Sequence, residues 1–326
     1  MQYKEAGVDI RKAEGVFSEI KPIIEKTLTS NVLNAPGHFG ATYKIPSGYK
    51  DPVLVSSIDG VGTKILLGIQ HKSYEGLGRD IVNHCVNDIL VMGAAPLYIL
   101  DYFASGNIDE DIMIEVIKGM ASACQENECS LIGGETAEMP DLYEDNIFDL
   151  AVQITGIVEQ DKIIDGSKIR VGDKAFGLAS SGFHTNGYSL IRAIINKVGL
   201  SLDDYIEELD GILGDLLLTP HKSYYKEVFP LLSEVKGISH ITGGGFYGNI
   251  SRVLPKGLTC YIDPDSFKVP GLFRFIQKKG EVSEKEMFSV FNMGIGMILI
   301  CSKDIGIGME IGEIRKGDVP VVIDGI

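Results

Sequence analysis

Six glycine-rich joints constrain this chain more than any other feature. DGVGTK (59–64), MGAAP (92–96), LIGGET (131–136), SSGFHTNG (180–187), ITGGGFYGN (241–249) and NMGIGM (292–297) each adjoin an apolar run. Glycine supplies 39 of the 326 residues, and the spacing is aperiodic. Glycines at such joints let backbone come close to a ligand or another chain segment. The pattern predicts a site lined by loops and excludes a filament or a repeat array.

Alternation and apolar runs predict strands at 53–58, 96–104, 130–134 and 148–159, and helices at 11–28 (with Pro22 as a kink), 77–92 and from about Asp109, with Asn107 or Asp109 as cap. GSKIRVGDK (166–174) is polar and turn-rich, and divides the chain into expected domains 1–168 and 169–326. A second series follows: a strand in AFGLASSG, a helix from near Asn186, a helix over 222–234, strands at 258–263 and 295–301, and a helix at 270–279 between them. Interleaved strands and helices with hairpin-like steps predict an α+β fold with two mixed sheets.

A net charge of −15 argues against nucleic-acid binding, which needs clustered cations. Five cysteines, an odd number with no C-x-x-C, suggest neither a disulfide framework nor a zinc site. The N-terminus lacks a secretory core and no run is long enough for a membrane helix, so a soluble cytoplasmic protein is expected.

In DGVGTK a strand ends on Asp59, followed by Gly60, Gly62, Thr63 and Lys64. A carboxylate there can hold Mg²⁺, glycine amides can approach phosphate, and Lys64 can add a point charge. The same residues would also serve a tight turn with Asp59 as a helix cap. No Walker A loop and no G-x-G-x-x-G after a strand occurs. In GRDIVNHCVNDILVMG (78–93), Asp80, Asn83, His84, Asn87 and Asp88 share a helix face without Lys, Arg or Glu from 81 to 92, so that face packs on protein or ligand. For His84 a buried hydrogen-bond network is the better reading; for Asn87 and Asp88, metal or phosphate. Glu135 and Glu138 would share a side of a helix, binding metal or taking a proton, or serving as acids at a helix start. The loop carrying Ser181, His184, Thr185 and Asn186 can bind an anion. A Ser-His hydrolase is disfavoured without a G-x-S-x-G elbow. Gly243, Gly244 and Gly245 fit close contact with a phosphate or ring, or a plain linker.

YKEAGVDI, DGVGTK, CVNDILVMGA-PLYILDY, CSLIGGETAEMP, SSGFHTNGYSL, TGGGFYGNI and FNMGIGM stand in an order and spacing that resembles the phosphoribosylformylglycinamidine cyclo-ligase family, the aminoimidazole ribonucleotide synthetases, over nearly the whole chain. The resemblance implies two α+β domains, with the first forming a barrel across a homodimer interface. It implies ATP and Mg²⁺ as cofactors, and ring closure of formylglycinamidine ribonucleotide through phosphorylation of its formyl oxygen. Carried over residue by residue, it implies Asp59, Asn87 and Asp88 as metal and ATP ligands, with Gly60, Gly62 and Thr63 in the phosphate loop. Lys64 becomes a phosphate contact and Glu135 part of the same acidic cluster. His184, Asn186 and Gly243, Gly244 and Gly245 become nucleotide or substrate-phosphate contacts. The resemblance carries over no general base; Glu138 and His184 stand as the acid–base candidates.

The family usually has a helix before the strand matching EIGEI, where this chain has only SKDIGIGM (302–309); a less stable second domain with an intact site is expected. Selenophosphate synthetase, hydrogenase maturation proteins and thiamine-monophosphate kinase fit less well, lacking here an early reactive cysteine, a terminal cysteine and matching acidic motifs respectively. Formylglycinamidine ribonucleotide synthetase is the nearest rival. A non-catalytic nucleotide-binding dimer would keep the glycines and lose carboxylates, yet Asp59, Asp88 and Glu135 are present.

Overall fold

The computed structural model describes residues 10–34, 36–107 and 109–326, so most of YKEAGVDI lies outside the described residues. Two compact units form: residues up to Ile89 with Ala94–Gln160, and Leu90–Gly93 with Asp161–Ile326. The units part before the polar stretch at 166–174 because Ile164 and Ile169, though set in polar sequence, are buried in the second unit.

The first unit contains α1 (Ile10–Glu25, with Pro22 inside), β1 (Pro52–Gly60), α2 (Lys64–His71), α3 (Glu75–Leu90), β2 (Ala95–Ser105), α4 (Glu110–Glu126), β3 (Ser130–Glu138) and β4 (Phe148–Glu159). The sheet order is β1-β4-β2-β3, with β4 antiparallel to β1 and β2, and β2 parallel to β3. α4 starts at Asp109, whose carboxylate accepts from the Ile112 amide at 3.2 Å. α3 and α4 meet backbone to backbone. A Cβ on Gly78 would lie 2.0 Å from the Val116 carbonyl oxygen, and one on Gly119 1.9 Å from that of Glu75. The polar face of α3 is indeed turned inward: Asp80, Asn83, His84 and Asn87 are all buried, and Asn127 Nδ2 donates to Asn83 Oδ1 at 2.8 Å.

The second unit runs β5 (Lys174–Ala179), α5 (Tyr188–Val198), β6 (Tyr205–Ile206), β7 (Gly211–Ile212), α6 (Leu213–Leu217), α7 (Tyr225–Val228), β8 (Val235–His240), α8 (Gly245–Ile250), β9 (Leu258–Ile262), α9 (Gly271–Gly280), α10 (Glu284–Val290), β10 (Ile295–Cys301), β11 (Met309–Lys316) and β12 (Val321–Ile323). Its main sheet has the order β12-β9-β11-β5-β10-β8, antiparallel except for the parallel β9–β12 pair. The helix expected over 222–234 is a single α-turn followed by a 3₁₀ stretch, Phe229–Glu234, in which Pro230 cannot donate to a helical ladder. β8 and α10 emerge beyond the expected elements, while α8 is the helix that the glycine loop at 241–249 enters. Every residue of β10 is buried, which is why its sequence reads as unbroken apolar. Residues 302–308 join β10 to β11 without a helix. Among the described residues no helix is long and apolar enough to cross a membrane.

Candidate active site

Within the first unit the site is built on the last residues of β1. Asp59 is still in the strand, paired with Val152, which in turn pairs with Asp101 of β2, and Asp101 with Gly134 of β3. Partners in such a row share a face, so Asp59 and Asp101 point to the same side two strands apart, about 10 Å between backbones. On that side α3 presents His84, whose Nε2 lies 2.9 Å from Asp59 Oδ2 and 3.6 Å from Asp88 Oδ2. Ser57 donates to Asp88 Oδ2 at 3.2 Å, and the Gly60 amide to Asp59 Oδ1 at 2.7 Å. Asp59 and Asp88 keep solvent access, at 46% and 26% side-chain exposure, while His84 is buried.

Desolvation would raise the Asp59 pKa, but the hydrogen bond and charge of His84 together hold it below the ordinary carboxylate value. Burial would lower the pKa of His84, yet the Asp59 hydrogen bond and the Asp88 and Asp59 charges raise it. Asp59 as carboxylate and His84 as imidazolium therefore sustain each other, while the neighbouring Asp88 favours the charged ring and opposes the charge on Asp59.

Three expectations are corrected here. Lys64 does not point toward a phosphate: it is fully buried, with Nζ 2.9 Å and 2.7 Å from the two oxygens of Asp80. Asn87 is fully buried one residue before Asp88, so the accessible oxygens of this cluster are those of Asp59 and Asp88. Glu135 and Glu138 lie on a strand, where residues three apart face opposite ways. Glu138 pairs with Ser105 and shares the face of Asp101, while Glu135 pairs with Tyr102 on the other. In the glycine turn, Gly62 needs its positive φ of 68°, Thr63 precedes α2 without a side-chain cap, and the Val61 amide is taken by the Leu150 carbonyl at 3.1 Å.

A cavity of about 570 Å³ opens beside Asp101, walled by Ile20, Ile24 and Met113 and bordered by His38, Gly133 and Glu135. Gly134 makes room for Asp101, since a Cβ there would lie 2.1 Å from Asp101 Oδ1. Asp101 is partly accessible through the cavity but deep beneath the surface, and that burial pushes its pKa up to about 7, with Glu135 adding repulsion. Neither Asp101 nor the PGHFGA segment (36–41) that borders the cavity stands out among the sequence candidates. A carboxylate inside the apolar run PLYILDYFA was the available signal.

In the second unit Asn186 and the glycine loop do meet: a Cβ on Gly243 would lie 3.0 Å from Asn186 Oδ1. Gly244 and Gly245 have φ of 93° and 55°, and Gly245 packs against the Phe288 carbonyl, so both glycines also serve the backbone path. Asn249 Nδ2 clamps the loop by donating to the Gly245 carbonyl at 2.8 Å. His184 is 1% exposed and stacks on His221, ring centroids 3.9 Å apart.

Two family models match the chain: AIR synthase related protein, N-terminal domain, over residues 38–158, and C-terminal domain, over 170–305. A phosphoribosylformylglycinamidine cyclo-ligase of Thermoanaerobacter pseudethanolicus is 46% identical over 337 aligned positions, covering 99% of this chain and all of its own. One from Paraburkholderia phymatum is 49% identical over 93% of this chain and 85% of its own. Among solved structures, Hydrogenase Maturation Protein HypE in complex with ATP has a TM-score of 0.67 at 17% identity, covering 98% of this chain and 93% of its own. Thiamine-monophosphate kinase from Stenotrophomonas maltophilia K279a has 0.65 at 16%, covering 95% and 96%. At those identities the likeness is one of fold. Near-full-length identity, both domain models and the motif order together place the chain: it belongs to the phosphoribosylformylglycinamidine cyclo-ligase family, within the AIR synthase related proteins.

Proposed function

We propose that the chain is an ATP-dependent ligase that closes formylglycinamidine ribonucleotide to 5-aminoimidazole ribonucleotide in purine biosynthesis. The observation that carries the reading is the pair Asp59 and Asp88 gathered on His84, in a chain 46% identical to a cyclo-ligase along its length. In the reaction the γ-phosphoryl group passes from ATP to the formyl oxygen. The amidine nitrogen then attacks that carbon, a proton leaves the nitrogen, and the C–O bond breaks to release phosphate.

Asp59 and Asp88 fit a magnesium ion: their donors are hard oxygens, both reach solvent, and the lowered pKa of Asp59 keeps it charged. Bound there, the ion would neutralise phosphate oxygens, the main electrostatic demand of phosphoryl transfer. The cavity beside Asp101, two strands from Asp59 and within the size range of ligand pockets, supplies apolar walls for a nucleotide base. Of the two expected acid–base residues, Glu138 is the partly accessible one and shares Asp101's face; we assign it the proton from the ring nitrogen. Asn186 and Gly243 offer the second unit's contact to a phosphate.

A homodimer through the open face of the first sheet is part of the same reading. Ile58, Gln153 and Leu100 stand in one row across β1, β4 and β2, with Tyr102 and Leu54 exposed on the same face. Large apolar side chains in one exposed row mark an interface. Five buried free cysteines fit a reducing, cytoplasmic setting.

The deciding assay follows ADP release from ATP and Mg²⁺ with and without formylglycinamidine ribonucleotide. Substrate-dependent ADP with formation of the aminoimidazole product is expected. Nucleotide binding without turnover would leave the non-catalytic dimer in its place.

A further inference from the structure

The cavity beside Asp101 is apolar along its deep walls. Ile20 and Ile24 of α1, Met113 and Ile117 of α4 and Leu131 of β3 are all buried there. Such walls can hold the faces of a planar ring. They cannot tell one purine from another, which takes hydrogen bonds to the ring's edge.

The polar groups around the cavity narrow to one. Asn34 is spent on its own loop: Nδ2 donates to the Gly40 carbonyl at 3.0 Å, and Oδ1 accepts from the Thr42 amide at 2.6 Å and the Thr42 hydroxyl at 2.7 Å. His38, Glu135 and Thr136 are exposed at the rim. Asp101 lies within, and among the described residues its carboxyl bonds only its own backbone amide. The fold keeps a seat for it. A Cβ on Gly134 would lie 2.1 Å from Asp101 Oδ1 and 2.4 Å from the Asp101 carbonyl oxygen, so any side chain there would displace the carboxyl.

We infer that Asp101 selects the base of the bound nucleotide, taking adenine over guanine through a donor–acceptor pair of hydrogen bonds to the base's edge. This rests on the ligase reading, which puts a nucleotide base in the cavity. A neutral carboxylic acid is one donor and one acceptor on neighbouring oxygens. Adenine offers the complement, an N6 amino donor beside a ring-nitrogen acceptor. Guanine offers two acceptors, O6 and N7, on one edge, and these leave the acid's carbonyl oxygen unpaired. Its other edge offers two donors, N1–H and N2–H, which suit the ionised carboxylate instead. The protonation state of one side chain therefore sets the preference.

The surroundings hold the acid form. Burial raises the Asp101 pKa to about 7, with Glu135 of β3 adding repulsion. The Cys124 thiol of α4 also faces Asp101, and burial raises its pKa well above the ordinary value, so it stays neutral. His38 stands at the rim, and the described residues of α1 at the cavity, Phe17, Ile20 and Ile24, carry no charge. From pH 6 to pH 8 the neutral fraction of Asp101 falls about tenfold.

The test measures, by calorimetry, binding of the β,γ-imido analogues of ATP and GTP to the full-length protein in excess Mg²⁺ at pH 6, 7 and 8. The ratio of the two affinities cancels the titration of His84, Asp59 and the phosphates, which both nucleotides share. The ATP analogue should be preferred at pH 6, and the preference should fall by about tenfold or more by pH 8. Asp101→Asn keeps an acceptor and a donor in place. It should bind the ATP analogue less tightly than the acid does, yet prefer it by the same ratio at every pH. Asp101→Leu should bind both analogues alike. A wild-type ratio flat with pH, an Asp101→Asn ratio that still varies, or a preference kept by Asp101→Leu would overturn the assignment and leave the ligase reading in place. Wild-type protein that binds neither analogue would overturn the ligase reading and this assignment together.

Discussion

A buried ring, His84, donates from Nε2 to the half-exposed carboxylate of Asp59 at 2.9 Å. His84 has its pKa raised, so its contribution to stability is full below the free imidazole value of 6.5 and fades as pH rises through the higher folded value. Asp59 has its pKa lowered, so its share is present above 3.8 and fades as pH falls through the lower folded value. His84→Gln should cost about 1 kcal/mol after solvent screening of Asp59. The deficit relative to wild type should shrink in melts well above pH 6.5. A deficit that does not vary with pH would contradict the charged state of the ring.

Asp101 behaves in the opposite sense. Its folded pKa of about 7 exceeds the free value of 3.8, so the folded state gains protons and stability declines as pH climbs between those values. Asp101→Asn should remove that slope and stabilise the protein above pH 7 by on the order of 2 kcal/mol, while weakening nucleotide binding. Denaturant titrations at several pH values, with binding measured in parallel, check both halves.

Removing the amine of the buried Lys64–Asp80 pair strands a carboxylate. Lys64→Met should therefore lose roughly 3–5 kcal/mol, and adding Asp80→Leu should recover much of it. Nucleotide affinity of the folded double variant should hold. If affinity collapses while stability returns, Lys64 touches phosphate after all.

Ile58 is 70% exposed on the open sheet face. If the proposed homodimer forms through this face, Ile58→Lys should shift the protein to monomer in static light scattering without altering its far-ultraviolet dichroism, because a desolvated ammonium opposes an apolar interface. A variant that stays dimeric would move the interface elsewhere.

The strands of the first unit were legible because their alternation and apolar runs are long. The acids Asp59 and Asp88 were legible because an acidic residue ends one such run and the other sits on a helix face devoid of Lys, Arg and Glu. What escaped was decided by tertiary contacts. Lys64 reads as a loop cation until Asp80, sixteen residues on, claims it inside the core. Glu135 and Glu138 read as helical neighbours because the strand continues past two glycines that would ordinarily end it. Asp101 was hidden by its apolar neighbours, and the 3₁₀ stretch at 229–234 by a helical pattern that Pro230 interrupts.

The inward turn of Lys64 has a consequence for what can dock at the end of β1. The doorway there is left anionic, its own ammonium spent on the interior. On the proposed reading, a polyphosphate settling there would need a dication between itself and Asp59 and Asp88, so the complexed nucleotide rather than the free one would be the form that docks.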